Sequence, residues 1–599
     1  MRGTGQERWQ CGARLDWRDG WRWMAAAIVL ALVPAQTNAE DTSQPAILQL
    51  FESRWQTIEG RMPDIFQAGY GRLWLPPPER ADSGNTSVGY DVYDRFDLGS
   101  PRNETLYGTE TSLKTLVTSA HTAGLLVNTD FIANHDGFTN SGSVDTKGTS
   151  DTSDDVTFAQ AGGYPGFALS VPGDIDGDFH GAFETSQQTF RLSGLIDIAQ
   201  EKNNQFIRQP VTAGDPRNIP AGTQAAFGRL ANVPDPNNAR FYPDQGLGGT
   251  AVFDPRTNQN VTLYNFNTTT PLAGDAVTDN AMGLLMRNAR WMIQDIGVDG
   301  FRFDAARHFP SWVLDYLDQA MFLSKTTPLL DGSQQHTFSF SETGYDSDLN
   351  YLQSFIRKDI NNANLSQVGG NRDALDFNLF GALNGNLTAN GTQNNWHNII
   401  HASIDLHDDG LRNGSQGVLF AQSHDELGPY LQNVAYAYIL MMPGQAIVYD
   451  NAQEFGTNRD FPRGGKLDAL GGFYGNTITK LVDIRNTHGR GDFKERWIDE
   501  AFGDTNGDGQ QFSNVYVYER SKSAIVGLNS RLDAGYDERT PVQTDFAPGT
   551  VLVELTGNAA DPVVDPGNNI PEAIRVNASG QVTMRIPRND TNGRGYVVY

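Results

Sequence analysis

The chain has 599 residues, too long for one ordinary domain and of a length that suggests about two to four. Its 38% hydrophobic content, with 10% aromatics, is ample for packed cores, while 63 glycines and 28 prolines point to many loops. A formal charge of -26 argues against nucleic acid or an anionic membrane as partner and fits a protein with neutral or cationic ligands.

The N-terminus reads as an export signal. Arg18 and Arg22 precede an apolar run from Met24 to Val33, followed by Pro34 and the small-residue site Thr37-Asn38-Ala39. The run is short for a bilayer span, so residues 1–39 are expected to be a signal peptide cleaved near Ala39, giving an extracellular or periplasmic protein. Cleavage removes Cys11, the only cysteine, so stability must come from core packing and metal rather than disulfides.

From Ala46 the pattern alternates between strand and helix. Ala46–Phe51 reads as a strand, Thr57–Gln67 as a helix, Gly71–Leu75 as a strand, Thr111–Gly124 as a helix, and Leu125–Ala133 as a long apolar strand ending in Asn134-His135. Residues 136–275 break this rhythm with Gly, Asp, Asn, Thr and Pro, as an inserted domain would. Asp279 is a plausible N-cap for a helix with apolar positions at Met282, Leu285, Met286, Ala289, Met292, Ile293 and Ile296, stopped by Gly297. The alternation resumes with the segment 299–308, helix Trp312–Leu323, strand Thr337–Glu342, helix Leu349–Arg357, strand Ala374–Asp376, strand Gly417–Ala421, helix Gly428–Met442, strand Ala446–Tyr449 and helix Asn476–Thr487.

About eight strands alternating with helices favour a closed (β/α)8 TIM barrel over an open doubly wound sheet. The absence of a Gly-rich phosphate loop after the first strand points the same way. Beyond residue 496 the period changes to two, with strands at Val515–Tyr518, Ala524–Leu528, Val551–Leu555, Gln581–Ile586 and Tyr596–Tyr599. The expected layout is barrel residues 40–135 and 276–495, the inserted domain 136–275 between them, and a C-terminal antiparallel β-sandwich domain over 496–599.

The segment D-G-F-R-F-D-A-A-R-H, 299 to 308, puts Phe301 and Phe303 on one strand face, Arg302 and Asp304 on the other. Alone, such a pair reads more readily as a structural ion pair closing a strand end than as an active-site carboxylate held ionised by its arginine. Barrel enzymes carry catalytic groups at the C-terminal strand ends. Here four strands end in Asn134-His135, Arg302-x-Asp304, Glu342 and His424-Asp425. Two carboxylates across a barrel mouth suit retaining glycoside cleavage, one attacking the anomeric carbon and the other donating a proton to the leaving oxygen. The charge pattern assigns Asp304, beside Arg302, as nucleophile, and Glu342, facing Asp304 and Asp425, as acid/base.

Taken together, D-F-I-A-N-H (130–135), G-F-R-F-D-A-A-R-H (300–308), F-S-F-S-E (338–342) and F-A-Q-S-H-D (420–425) resemble the four signature regions of the α-amylase family, glycoside hydrolase family 13, in the family's order. L-I-D-I-A (195–199) resembles its fifth region, G-Y-D-V-Y-D (89–94) the segment bearing a sugar-stacking tyrosine, and P-G-Q-A-I-V-Y-D (443–450) its eighth strand. The resemblance implies that Asp304, Glu342 and Asp425 are catalytic. It places Tyr90, His135, Arg302, Arg307, His308 and His424 around the substrate. It also implies a structural Ca²⁺ held by Asn134, Asp197 and the carbonyl of His308, oxygen donors that suit a hard cation. Ser423, Ser341 and Arg307 depart from the family's usual Asn, Gly and Lys.

The resulting expectation is a monomeric, secreted, calcium-dependent α-amylase that cuts internal α-1,4 bonds of starch or glycogen. A maltooligosaccharide-forming amylase or a glucanotransferase is the alternative, and a non-catalytic glycan-binding barrel a more distant one. Of two further Asp-rich stretches, 174–178 is a candidate for a second metal, whereas 504–509 starts like a calcium loop but has Val515 rather than Glu at its twelfth position and reads as a polar turn.

Overall fold

A computed structural model describes residues 43–137 and most of 281–599. Between those stretches it describes the short segments 143–144, 156–157, 195–198, 249–254 and 259–264. Segments 329–333, 359–369, 456–468, 472–475 and 500–512, with a few single residues, lie outside the description. So do the leader, Asp279 and both Asp-rich stretches.

Eight parallel strands form one sheet: β1 (Ile47–Phe51), β2 (Arg72–Leu75), β3 (Leu126–Phe131), β4 (Gly300–Phe303), β5 (Ser339–Ser341), β6 (Arg372–Ala374), β7 (Val418–Leu419) and β8 (Gln445–Asn451). Their order around the sheet is β6-β5-β4-β3-β2-β1-β8-β7, and a parallel bridge between Leu375 and Val418 joins its two ends. The expected (β/α)8 barrel is therefore observed, with its closing seam between the sixth and seventh strands.

The strands form because their apolar residues alternate in a way that serves two cores. Leu48, Leu50, Leu73, Leu75, Val127, Phe301 and Phe303 point outward into the layer shared with the helices. Ile47, Phe51, Trp74, Phe340, Val418, Phe420, Ile447 and Tyr449 fill the inside. Arg302 and Asp304 stand on that inner side, as the two-residue period requires.

The helix anticipated over Thr57–Gln67 is in fact two, Trp55–Gly60 and Met62–Ala68, meeting at Arg61. Pro63 lies in the first turn of the second, where its missing N–H is harmless; continued inside one helix it would clash with the turn before it. Glu110–Thr122 begins at a capping box of Thr109 and Ser112. Ala281–Trp291 passes into a π-helical turn, Met292–Ile296, that ends at Gly297 in the left-handed conformation. The helix expected from Gly428 starts only at Gln432. Two helices with little apolar periodicity, Phe377–Asn386 and Trp396–Ile400, were not anticipated.

The C-terminal part is an antiparallel sandwich. One layer orders β9 (Phe493–Ile498), β10 (Val515–Arg520), β11 (Ala524–Asn529) and β16 (Tyr596–Val598); the other consists of two pairs, β12 (Tyr536–Gln543) with β15 (Gln581–Pro587) and β13 (Val551–Val553) with β14 (Ala573–Arg575). Val517, Ile525, Val542, Leu552, Met584 and Ile586 fill the space between the layers. Hydrogen bonds that tie this sandwich to the barrel's helices include Tyr518 Oη to the Tyr438 carbonyl (3.1 Å), Arg520 Nη1 to the Met441 carbonyl (3.0 Å), Ser523 Oγ to the His488 carbonyl (2.8 Å) and Trp396 N–H to the Ser513 carbonyl (2.9 Å).

Candidate active site

The polar strand ends converge on one cavity of about 410 Å³, lined by Tyr90, His135, Leu195, Asp304, Ala305, Arg307, His308, Glu342, Gly344, Phe377, Asp425 and Glu426. All three carboxylates singled out in the sequence reach it. Of the sequence-named substrate residues, Tyr90, His135, Arg307 and His308 line it directly. Arg302 and His424 lie beneath, almost wholly buried.

Arg302 is the hub. Its Nη1 donates to Asp304 Oδ1 (2.6 Å) and Asp130 Oδ2 (3.1 Å), and its Nη2 pairs with Glu342 Oε1 (3.0 Å). One guanidinium thus holds the two carboxyls proposed for chemistry side by side. The turn after Asp304 completes the arrangement. Ala305 adopts a left-handed conformation, φ 48°, costly for a residue with a Cβ, and its N–H donates to Glu342 Oε2 (2.8 Å).

Charge balance here is unfavourable for full ionisation. Burial pushes Asp304 well above the ordinary carboxylate range; Arg302 opposes the rise, while Glu342, Asp130 and Asp425 add to it. Burial likewise raises Asp130, against Arg302, His424, Tyr90 and Trp74. Asp304 had been expected to ionise readily beside its arginine. The sign of that effect holds, but desolvation outweighs it because one cation serves three carboxyls, of which Asp130 and Asp304 are buried and Glu342 half-buried.

Asp130 was not assigned a role from the sequence, yet it anchors the floor. Besides Arg302 it accepts from Trp74 Nε1 and Tyr90 Oη, both at 2.5 Å. The signal lay in β3, where Asn128 and Asp130 interrupt an apolar run on alternate positions. Tyr90 Oη also meets His424 Nε2 (2.9 Å), with the two rings nearly parallel at 5.6 Å. His424 Nε2 contacts Asp425 Oδ2 (3.0 Å), while the Asp425 side chain is 61% exposed. Gln49, equally unassigned, meets His424 Nδ1 through its side-chain nitrogen at 2.8 Å. Arg307 reaches Asp346 (3.5 Å) and the Tyr345 carbonyl (3.4 Å).

His135 is buried and neutral, its pKa pushed down to about 3 mainly by burial, and its Nε2 contacts the Tyr90 carbonyl at 3.0 Å. The strand His135–Gly137 pairs antiparallel with Leu195–Asp197, setting His135 opposite Asp197, and Ile198 N–H donates to the Asn134 carbonyl at 2.8 Å. The backbone therefore brings Asn134 and Asp197 to one place, while His308 ends the short turn Ala306–His308 on the cavity wall. An amide oxygen, a carboxylate and a backbone carbonyl are donors of the kind calcium takes. Among the described residues no three His, Cys, Asp or Glu side chains cluster as a metal site.

No family model matches the sequence. An α-amylase of Geobacillus stearothermophilus is 23% identical over 325 residues, 50% of this chain and 51% of that protein. A glucan 1,4-α-maltohexaosidase of Bacillus sp. (strain 707) is 22% identical over 429 residues, 67% of this chain and 66% of that protein. The chain thus spans about half to two thirds of the length of these relatives. Among solved structures, the α-amylase of Geobacillus thermoleovorans superposes with a TM-score of 0.53 at 15% identity, covering 94% of this chain and 99% of that one, which shows a common fold. In sequence the chain is thus similar to an α-amylase and a maltohexaosidase, and in fold to an α-amylase.

Proposed function

We propose that the chain is a retaining glycosidase that hydrolyses internal α-1,4 bonds of starch- or glycogen-type glucans. The observation that carries this reading is the pair Asp304 and Glu342, held by the two terminal nitrogens of one guanidinium at a cavity wall. Asp304 attacks the anomeric carbon as Glu342 passes its proton to the departing glycosidic oxygen, leaving a glycosyl ester on Asp304. Glu342, now ionised, takes a proton from the incoming water, and the hydroxide equivalent breaks the ester. Asp425, exposed to the cavity, accepts hydrogen bonds from sugar hydroxyls.

Arg302 makes its shorter contact with Asp304, 2.6 Å against 3.0 Å to Glu342, which fits Asp304 as the attacking carboxylate and Glu342 as the proton donor of this reading. Arg302 meets one Glu342 oxygen and Ala305 N–H the other, which holds that carboxyl in place at the cavity wall.

Calcium belongs to this proposal, with Asn134, Asp197 and the His308 carbonyl as the residues that would hold it. Bound there, it would supply a fixed charge that clamps the insert's strand to the barrel rim. Export through the leader ending near Ala39 is likewise proposed. Among the described residues no helix is long and apolar enough to cross a membrane.

The test is turnover of soluble starch and a chromogenic maltooligosaccharide, with products resolved by size. Asp304→Asn and Glu342→Gln should each lower kcat by several orders of magnitude. Full turnover in either variant refutes the assignment. A second reading, glucan transfer, is favoured by a cyclomaltodextrin glucanotransferase of Geobacillus stearothermophilus that is 25% identical over 305 residues. Predominantly cyclic or elongated products would select it.

A further inference from the structure

Gln49 lies on the inner face of β1, fully buried, one layer below the cavity. Its side-chain nitrogen sits 2.8 Å from His424 Nδ1, and Phe51, two residues on, stacks on the same imidazole with centroids 4.5 Å apart. Trp74 closes a further side of the ring edge-on at 5.9 Å. His424 is thus gripped by packing and addressed by hydrogen-bonding groups at both nitrogens.

The direction of those hydrogen bonds can be worked out from the far end. Asp130, with three donors around it, is an acceptor: Trp74 Nε1, Arg302 Nη1 and Tyr90 Oη all give to it. The Tyr90 hydroxyl proton is therefore committed to Asp130, and its oxygen can only accept from His424 Nε2. The second group at Nε2 is the carboxylate of Asp425, again an acceptor. Two acceptors at one nitrogen require that nitrogen to carry the proton. If the imidazole bears one proton, Nδ1 must then accept, and it faces the amide nitrogen of Gln49, a donor. Every polarity in the chain agrees.

We propose that Gln49 is a positioning residue that fixes His424 as the Nε2–H tautomer, so that its single N–H is aimed at Asp425 and Tyr90. A glutamine suits this task where a carboxylate would not: an anion at Nδ1 would draw a proton there and place a second cation in a site already built around Arg302. The groups facing His424 are Gln49 from β1, Phe51 at its end, Trp74 from β2, Tyr90 from the loop after it, and Asp425 beside it. Asp130, Arg302 and Asp304 lie one contact further. Through His424, Gln49 would hold Asp425 in the orientation that the proposed hydrolysis uses, and the functional half of the inference rests on that reading.

The experiment pairs a spectroscopic readout with kinetics, on the full-length protein. Nitrogen-15 NMR of imidazole-labelled protein, with His424→Ala to assign the signal among the 10 histidines, reads which nitrogen of His424 is protonated. The wild type should show Nε2–H; in Gln49→Leu the tautomers should mix, and in Gln49→Glu the ring should become doubly protonated near neutral pH. In kinetics on a maltooligosaccharide, Gln49→Leu should lower kcat/KM roughly 10- to 100-fold. Gln49→Glu should shift the pH profile of kcat/KM, a change that loss of packing alone would not produce. An Nδ1–H signal in the wild type overturns the inference whatever the activity, as does an unchanged tautomer in both variants. Should the wild type show the expected tautomer but no glucan turnover, the hydrolase reading falls while the positioning of His424 stands.

Discussion

Arg302→Met isolates the electrostatic argument on which the site depends. The guanidinium is buried, touches three carboxyls within 3.1 Å and lies over the Trp74 ring at 5.5 Å. Removing one partner of a buried ion pair costs about 3–5 kcal/mol when the remaining charge stays ionised. Here the carboxyls can escape part of that cost by taking up protons, each unit of pKa shift corresponding to about 1.4 kcal/mol. Burial already raises Asp304 and Asp130, and loss of the cation raises them further. An acid whose folded pKa exceeds its unfolded value contributes stability below the unfolded pKa and loses it as pH climbs through the folded one. The penalty of Arg302→Met should therefore be small near pH 4 and approach its full size near pH 8. Urea midpoints followed by circular dichroism at both pH values, with Arg302→Lys as the charge-keeping control, measure it. An equal shift at the two pH values, or an unaffected midpoint at pH 8, refutes the reasoning.

Chelation offers a second test: EDTA should lower the melting temperature by removing a ligand of the native state, and calcium should restore it. An unshifted melt together with metal-free protein by elemental analysis would remove calcium from the account. Asp376 supplies a third. Burial raises its pKa to about 6, although Leu379 N–H, Ser403 Oγ and Ile404 N–H donate to it. Because the folded value is raised, the protein should lose stability as pH climbs from about 4 to 6. Asp376→Asn should flatten that part of a melting-temperature profile, and an unaltered slope would count against it.

Much of the barrel was legible because each strand is a short apolar run bounded by turn residues, and because its polar residues cluster at one end. Phe301 and Phe303 against Arg302 and Asp304 is the clearest case. The break at Arg61 was harder to read: apolar spacing continues across it, and Pro63 alone marks the new first turn. Strands Phe493–Ile498, Tyr536–Gln543 and Ala573–Arg575 escaped because their outward faces are charged or mixed, leaving only sparse apolar alternation. The first of them spans the junction placed at 495/496. In the site, the motif residues were visible as charged strand ends. Their supports were harder to read: Asp130 shows only as a polar break in an apolar strand, and Gln49 and Trp74 are ordinary-looking inner-face residues whose importance comes from strands far apart in sequence meeting around one axis. Ala305 carried no signal at all, since a left-handed alanine is dictated by its surroundings.

The barrel's seam has a bearing on how its chemistry is supported. The stave that precedes His424 and Asp425 is laced to β8 by only two residue pairs and to β6 by a lone bridge. Backbone lattice, which makes most barrel rims stiff, is thus thinnest beside the histidine–aspartate step. Rigidity there is lent sideways, by a ring stacked on Phe51, an amide from the first strand and a phenol from the second loop. A catalytic rim of this kind is steadied from across the lumen rather than from its own edge.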